Sequence, residues 1–373
     1  MVLAFMLSGC GALVTYEASR QPDVVKALKA TPDLAEDKFL VDMAKRYGLM
    51  ALFAQTAYRK DLNVENRDDK ACDYLDESTS NYKTDGLVHM PRNADGKGGW
   101  ERYQHASSAL KAGVARPCVN SGNGLFYETY VYKAADGKTV TKAVIAFRGT
   151  ENRSGQWFWD WKTNLTAAFG FEPAQYEYVR KNLPNLIKEL KGLGTQGTGV
   201  KVYAVGHSLG GGLAQLAAYM STDIEEAYIF NASPVTGWTW VAKHGKPFQS
   251  FQPYPRIHRI TQGGEALEFP RFAASLVTKP RFGRHDVRIH FDDTVDVKDD
   301  SVQEKRGAHS MQLLACGFAE LLLKKDVADA EHDYPLQFIA DNVLTSSRVD
   351  AIPPSQAWHK SQSAASRVCD IKK

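Results

Sequence analysis

No apolar run in the 373 residues reaches the roughly 20 needed to cross a bilayer as a helix, so a helical membrane span is excluded. A surplus of either charge sign is also missing: 46 lysines and arginines stand against 43 acidic residues, and no basic stretch is interleaved with aromatics. A nucleic-acid partner is therefore not expected. Cysteine is scarce, with five in all and no Cys-x-x-Cys pair, which argues against a zinc site or dithiol redox chemistry. No metal and no cofactor are expected. The chain does have apolar mass, at 43% hydrophobic residues and 24% charged. That is enough to bury one large core, and one principal domain is the default.

One segment is distinctive. Residues Lys201 to Gly212 read as an apolar strand that runs into Gly206-His207-Ser208-Leu209-Gly210 and then a helix, Leu213 to Met220. A strand, a Gly-x-Ser-x-Gly turn and a helix in that order make a nucleophile elbow. The turn must hold Ser208 in strained backbone geometry, so the positions two before and two after it have no room for bulk, and both are glycine. A serine hydroxyl is a poor nucleophile near neutral pH. It needs a base, an acid to orient the base, and donors for the oxyanion. The amide of Leu209, directly after the serine at a helix N-terminus, is one such donor, and the helix dipole strengthens it.

Strands and helices alternate through most of the chain. Apolar spacing near three and four predicts an amphipathic helix from Glu36 to Arg59, weakened locally by Gly48. Residues 61–124 are charged, Gly-rich and without a sustained period, as expected of a long insertion. Leu125 to Lys133 and Thr139 to Phe147 predict a hairpin about Asp136-Gly137. Pro173 to Leu193 has a helical period that Pro184 should kink or split. Further strands are expected at Glu226 to Phe230, Arg256 to Thr261 and Val287 to Phe291, and further helices at Met311 to Leu323 and Tyr334 to Leu344. The tail from Pro353 is polar and reads as loose apart from Cys369. The pattern implies an α/β fold, a mostly parallel sheet with helices on both faces, whose ligand sites lie beyond the carboxyl ends of the strands.

Near the start, Leu7-Ser8-Gly9-Cys10 after a short apolar run resembles the lipobox of bacterial lipoproteins. The resemblance implies a signal over residues 1–10, acylation of Cys10, attachment to a membrane surface and a linker over 11–35. No Lys or Arg precedes the run and the run is short for a signal core, so a true start upstream is expected. Gly11, rather than Asp, implies sorting to the outer membrane of the cell envelope. The remaining cysteines, Cys72, Cys118, Cys316 and Cys369, allow three pairings. Cys72 with Cys118 and Cys316 with Cys369 are favoured because each pair would staple a peripheral segment to the core.

A second resemblance covers about Thr139 to Leu314. Ala146-Phe147-Arg148-Gly149-Thr150, then Asp160-Trp161-Lys162-Thr163-Asn164-Leu165, then Gly206-His207-Ser208-Leu209-Gly210-Gly211 resembles a class 3 lipase of the α/β-hydrolase fold in order and spacing. Phe230-Asn231-Ala232-Ser233-Pro234-Val235-Thr236-Gly237 resembles the family's segment after the nucleophile helix. The hydrolase domain is then 36–350, with 351–373 as a tail. The resemblance implies Thr150 as the second oxyanion donor and Arg148 as a brace for its loop. It puts the acid after the strand at Arg256 to Thr261, where Glu265 stands although the family more often has aspartate. Asp286, Asp292 and Asp293 are rivals, and Glu268 reads as a solvated charge. For the base, the Gly307-Ala308 step before an apolar helix favours His309 over His285, His290, His332 and His359. His207 reads as packing under the sheet edge. Four aromatics among Gln156 to Trp161 fit either a lid offered to lipid or core packing beneath the loop.

The chain order Ser208, Glu265, His309 is that of α/β-hydrolases. It implies a serine hydrolase acting on lipid esters, with phospholipid and acylglycerol both open. The alternative is a lipoprotein of the same fold that binds lipid or a partner protein without catalysis.

Overall fold

Side chains alternate across the strands, and each face of the sheet is covered by its own pair of helices. The computed structural model describes residues 34–58, 90–93, 97–103, 118–120, 125–149, 174–195, 199–234, 236–237, 241, 256–265, 267–271, 284–289, 291, 309–327, 333–360 and 367–370. Its strands are β1 (Gly99–Arg102), β2 (Val119–Asn120), β3 (Phe126–Lys133), β4 (Val140–Phe147), β5 (Lys201–His207), β6 (Ile224–Phe230), β7 (Arg256–Gln262) and β8 (Arg284–Ile289). They form one sheet in the order β1-β3-β4-β5-β6-β7-β8, with β2 also paired to β3. The joins from β4 through β8 are parallel, and those of β3 with β1, β2 and β4 are antiparallel.

Helices α1 (Leu34–Thr56) and α4 (Met311–Lys324) cover one face, burying Phe53 and Phe318 with Tyr130, Ala146, Val205 and Phe230 of the strands. Helices α2 (Ala174–Gly192) and α3 (Leu209–Met220) cover the other, where Leu186 and Leu216 meet Ile145, Phe147 and Ala204. Neighbouring residues Ala146 and Phe147 thus belong to opposite cores, as the period of two in a strand requires. This is the α/β-hydrolase architecture, with the elbow at the carboxyl end of a central parallel strand.

Several local expectations are corrected. Helix α2 runs unbroken across Pro184, because Leu183, Leu186, Ile187 and Leu190 on both sides of the proline are buried on one face and pin the two halves to the same surface. Helix α3 starts at Leu209 instead of the expected Leu213, so Gly210, Gly211 and Gly212 form its first turn. A Cβ on Gly210 would lie 2.7 Å from the Arg148 carbonyl carbon, so the helix starts where only glycine fits against β4. Strand β8 begins three residues earlier than expected, at Arg284, and ends at Ile289. In place of one helix from Tyr334 there is a single turn, Leu336–Phe338, that widens into a π-helix over Ile339–Val343. The tail is tied down. Trp358 is fully buried, Gln337 pairs with the backbone of His359, and the Arg367 guanidinium donates to the Leu344 carbonyl at 3.0 Å.

Part of the 61–124 insertion belongs to the sheet, since β1 and β2 both pair with β3 and Trp100 packs at 4.9 Å on Phe53. Strands of four and two residues are too short to show a period. Gly48 does not interrupt α1. It lets α4 approach closely, since a Cβ there would lie 3.2 Å from Leu322. A disulfide joins Cys316 of α4 to Cys369, and Cys118 is also disulfide-bonded. Cys72, Cys10 and the 11–33 stretch lie outside the described residues.

Candidate active site

Parallel strands β4 to β7 all end at one edge of the sheet, and the candidate residues collect there. Ser208 follows β5 and precedes α3, with φ 55° and ψ −124°, a positive φ that costs a non-glycine residue about 1–3 kcal/mol and persists only when its surroundings impose it. Here they do. The Ser208 amide donates to the Phe230 carbonyl at 3.0 Å, and its own carbonyl accepts from Ser233 at 2.9 Å and Gly212 at 3.3 Å. The loop after β6 that supplies these bonds is itself braced by Asn231, buried at φ 42°, whose side-chain oxygen accepts the Gln262 amide. A Cβ on Gly206 would lie 2.8 Å from the Gly211 nitrogen, which explains the glycine before the turn.

His309 stands two residues before α4, and its Nε2 is 3.1 Å from Ser208 Oγ. Its Nδ1 lies 2.6 Å from Glu265 Oε2. Glu265 follows β7, and its side chain is fully buried while that of His309 is 23% exposed. Leu209, the first residue of α3, holds an amide with no acceptor inside the helix, beside Ser208.

Glu265 has partners that the sequence did not reveal. Its second oxygen forms an ion pair with Arg271, whose guanidinium is 7% exposed and also donates to the Ala232 carbonyl at 2.9 Å. Oε2 accepts the Leu267 amide at 2.9 Å as well. Burial alone would push the Glu265 carboxyl up, but Arg271, His309 and the Leu267 N–H outweigh it and hold the group below its ordinary value. The Glu265 carboxylate is therefore ionised and fixed at both oxygens, which gives the longer glutamate stem the rigidity an aspartate would have from its shorter one. The signal for Arg271 was its place six residues beyond Glu265 in a short helical segment, too generic to single out.

Two of the rivals are placed in a strand. Asp286 is inside β8 with its backbone in register with Arg259, and His285 is in the same strand opposite His258. Glu268 is a partly exposed charge that accepts the Gly264 amide at 3.0 Å and pairs with Arg288 at 3.0 Å. His359 sits with the tail. Arg148 is buried, with its guanidinium 4.8 Å over the Phe126 ring, consistent with a bracing role. Thr150, Gln156 to Trp161, His290, Asp292, Asp293 and His332 lie outside the described residues. His207 is buried as expected, but its ring is hydrogen-bonded on both nitrogens, to Tyr58 and to the His309 carbonyl. Phe269, four residues past Glu265, is 68% exposed, and is the large apolar side chain left open among the described residues.

Residues 50–269, more than half of the chain, match the family described as Tle-like phospholipase domain. The chain belongs to this phospholipase family. No curated protein matches it. Among solved structures it is similar to M37 lipase, at 14% identity over 78% of this chain and 94% of that one with a TM-score of 0.41. It is also similar to an esterase from Pyrobaculum calidifontis, at 15% identity over 64% and 90% with a TM-score of 0.30. A third likeness is to an acylaminoacyl peptidase from Pyrococcus horikoshii, at 10% identity over 66% and 44% with a TM-score of 0.27. For this Tle-like phospholipase relative, the family match covers the elbow and Glu265 and stops short of His309. His309 therefore lies outside the matched span.

Proposed function

We propose that the chain is a serine hydrolase that cleaves carboxylic esters of phospholipids through an acyl-enzyme. The observation that carries this reading is the hydrogen-bonded row Ser208, His309, Glu265 at the carboxyl edge of the sheet. The Ser208 hydroxyl donates to His309 Nε2 and attacks the ester carbonyl as its proton passes to the imidazole. Glu265 keeps Nδ1–H pointed at itself and offsets the imidazolium charge. The Leu209 amide and, by resemblance, Thr150 receive the oxyanion, and losing one such donor typically costs about 100- to 1000-fold in rate. Collapse expels the alcohol, which takes the proton from Nε2, and water then repeats the sequence on the acyl-enzyme.

Family membership favours phospholipid over acylglycerol, and the exposed Phe269, four residues past the acid in sequence, offers apolar contact to an acyl chain. Acylation of Cys10 would hold the enzyme at the outer membrane, where phospholipid is the ester at hand. Purified protein and its Ser208→Ala form, assayed on phosphatidylcholine vesicles, emulsified triacylglycerol and p-nitrophenyl butyrate, test the activity. The expected result is fatty-acid release from the vesicles that Ser208→Ala abolishes. Release from none of the three refutes the reading. Palmitate incorporation in cells that is lost in Cys10→Ser tests the anchor.

A further inference from the structure

A second imidazole lies against His309, with ring centroids 4.8 Å apart, and its hydrogen bonds run in one direction. His207 Nε2 is 2.7 Å from the backbone carbonyl oxygen of His309. A carbonyl only accepts, so this nitrogen carries a hydrogen, and in the neutral ring Nδ1 is then the acceptor. That acceptor is 2.8 Å from the Tyr58 hydroxyl, which donates to it. The Tyr58 oxygen accepts in turn the backbone N–H of Gly149 at 2.9 Å. The chain therefore reads Gly149 N–H to Tyr58, Tyr58 O–H to His207, and His207 Nε2–H to the carbonyl of His309. Its members come from the end of β4, the turn after α1, the end of β5 and the loop before α4, four places far apart in sequence.

Both sides of the reaction centre hang on this chain. Gly149 immediately precedes Thr150, the expected oxyanion donor, and its amide is committed to Tyr58. Space there is tight, because a Cβ at position 149 would lie 2.7 Å from the His207 carbonyl oxygen and 3.0 Å from Ser208 Cβ. At the other end, the bond from His207 reaches the backbone that carries the base itself. We propose that Tyr58 and His207 are positioning residues for ester hydrolysis, holding the oxyanion-side backbone at Gly149 and the base-side backbone at His309 in one frame around Ser208. This rests on the hydrolase reading above. The frame acts through backbone groups and touches no reacting atom. It matters because a misplacement of about 1 Å can lower a rate by about 100-fold.

The test uses the full chain with p-nitrophenyl butyrate turnover and fluorophosphonate labelling of Ser208. Tyr58→Phe and His207→Ala lower kcat by about 10- to 100-fold with KM within about twofold, because the hydrogen bonds they remove hold the catalytic backbone and do not reach the substrate. The labelling rate falls in step. The double variant falls little further than the worse single one, since both cut the same chain. His207→Gln, whose amide nitrogen reaches the place of Nε2 and can donate to the His309 carbonyl, recovers most of the kcat that His207→Ala loses. Full kcat in Tyr58→Phe and His207→Ala with only a lower melting temperature, or no recovery in His207→Gln, overturns the proposal. If the wild-type chain neither turns over the ester nor labels, the hydrolase reading fails by itself. The frame is then judged by hydrogen exchange at the Gly149 amide, which must quicken by at least about tenfold in Tyr58→Phe. Equal exchange in the two forms overturns it.

Discussion

Two glutamates in this protein each meet one histidine and one arginine, and their surroundings differ. Glu265 lies just past the end of β7 with His309 at 2.6 Å and Arg271 in ion contact, and the imidazole goes on to Ser208. Glu226 lies early in β6 with Arg46 at 3.1 Å and His258 Nε2 at 3.5 Å, and the Tyr228 hydroxyl donates to it. There the far side of the imidazole meets the Tyr47 hydroxyl at 3.1 Å, and its face stacks on Tyr228 at 5.1 Å. His258 is 1% exposed and His309 23%. The same three side-chain types tie a helix to the sheet in one place and form a candidate base in the other. Position decides: parallel strands open a crevice beyond their carboxyl ends, whereas residues further back along a strand are covered on both faces. Helix α1 touches both clusters, through Arg46 and Tyr47 at one and through Tyr58, just after its end, at the other.

The largest effect that can break this comparison is on turnover. Ser208→Ala or His309→Ala should lower kcat by about 10⁴-fold or more, as loss of a triad member does. His258→Ala should leave it within about threefold. Vesicle hydrolysis decides, and a His258→Ala variant as inactive as His309→Ala would erase the distinction drawn here.

Stability comes next. Arg271→Met strands a fully buried carboxylate and should destabilise by about 3–5 kcal/mol in urea unfolding. Arg46 is 31% exposed, so Arg46→Met should cost about 1 kcal/mol or less, most of its pairing being screened by water. Equal losses would mean that the two arginines are equally buried in solution.

The acid range sharpens the contrast further. Burial pushes Glu226 up, but His258, Tyr228 and Arg46 outweigh it and hold its carboxyl at about 2 against an ordinary 4.5. A depressed carboxylate stabilises the fold fully above its unfolded value and loses that contribution as the pH falls through its folded value. Unfolding free energy should therefore decline between pH 4.5 and about 2, and Glu226→Gln should flatten that decline. A slope unchanged by Glu226→Gln would place the titrating group elsewhere, with Glu265, also depressed, as the next to examine.

The smallest effect concerns the two tyrosines of the α1 segment. Tyr47→Phe removes one hydroxyl from His258 and should lower stability by about 1 kcal/mol with kcat unchanged. Tyr58→Phe should do the reverse in emphasis. A kcat drop in Tyr47→Phe, measured beside it, would show that the structural cluster and the site are coupled through α1.

The elbow was legible because its information is local. Gly206, Ser208 and Gly210 lie within five residues, and the strand before them is apolar without interruption. The α2 surface was legible in its period but not in its tolerance of Pro184, because packing against the sheet outweighs one missing amide bond. The buried tail was misread for a similar reason. A single Trp358 among polar residues leaves no period, yet one indole filling a site on the α1 and α4 face holds the segment down. Glu265 and His309 could be nominated from their order and from the turns around them. Nothing short of the folded chain could show that Arg271 turns back onto Glu265.

Sequence by itself determined the strand-turn-helix that presents Ser208, the alternation that makes a two-faced parallel sheet, and the types of residue available for acid, base and oxyanion donor, since each follows from neighbours along the chain. Tertiary structure decided which carboxylate meets which imidazole, that Glu265 is fixed at both oxygens, and that Tyr58, Gly149, His207 and His309 share one hydrogen-bonded chain. These contacts join residues up to 149 positions apart. Their geometry is set by how two cores close around the sheet, which no local pattern of side chains encodes.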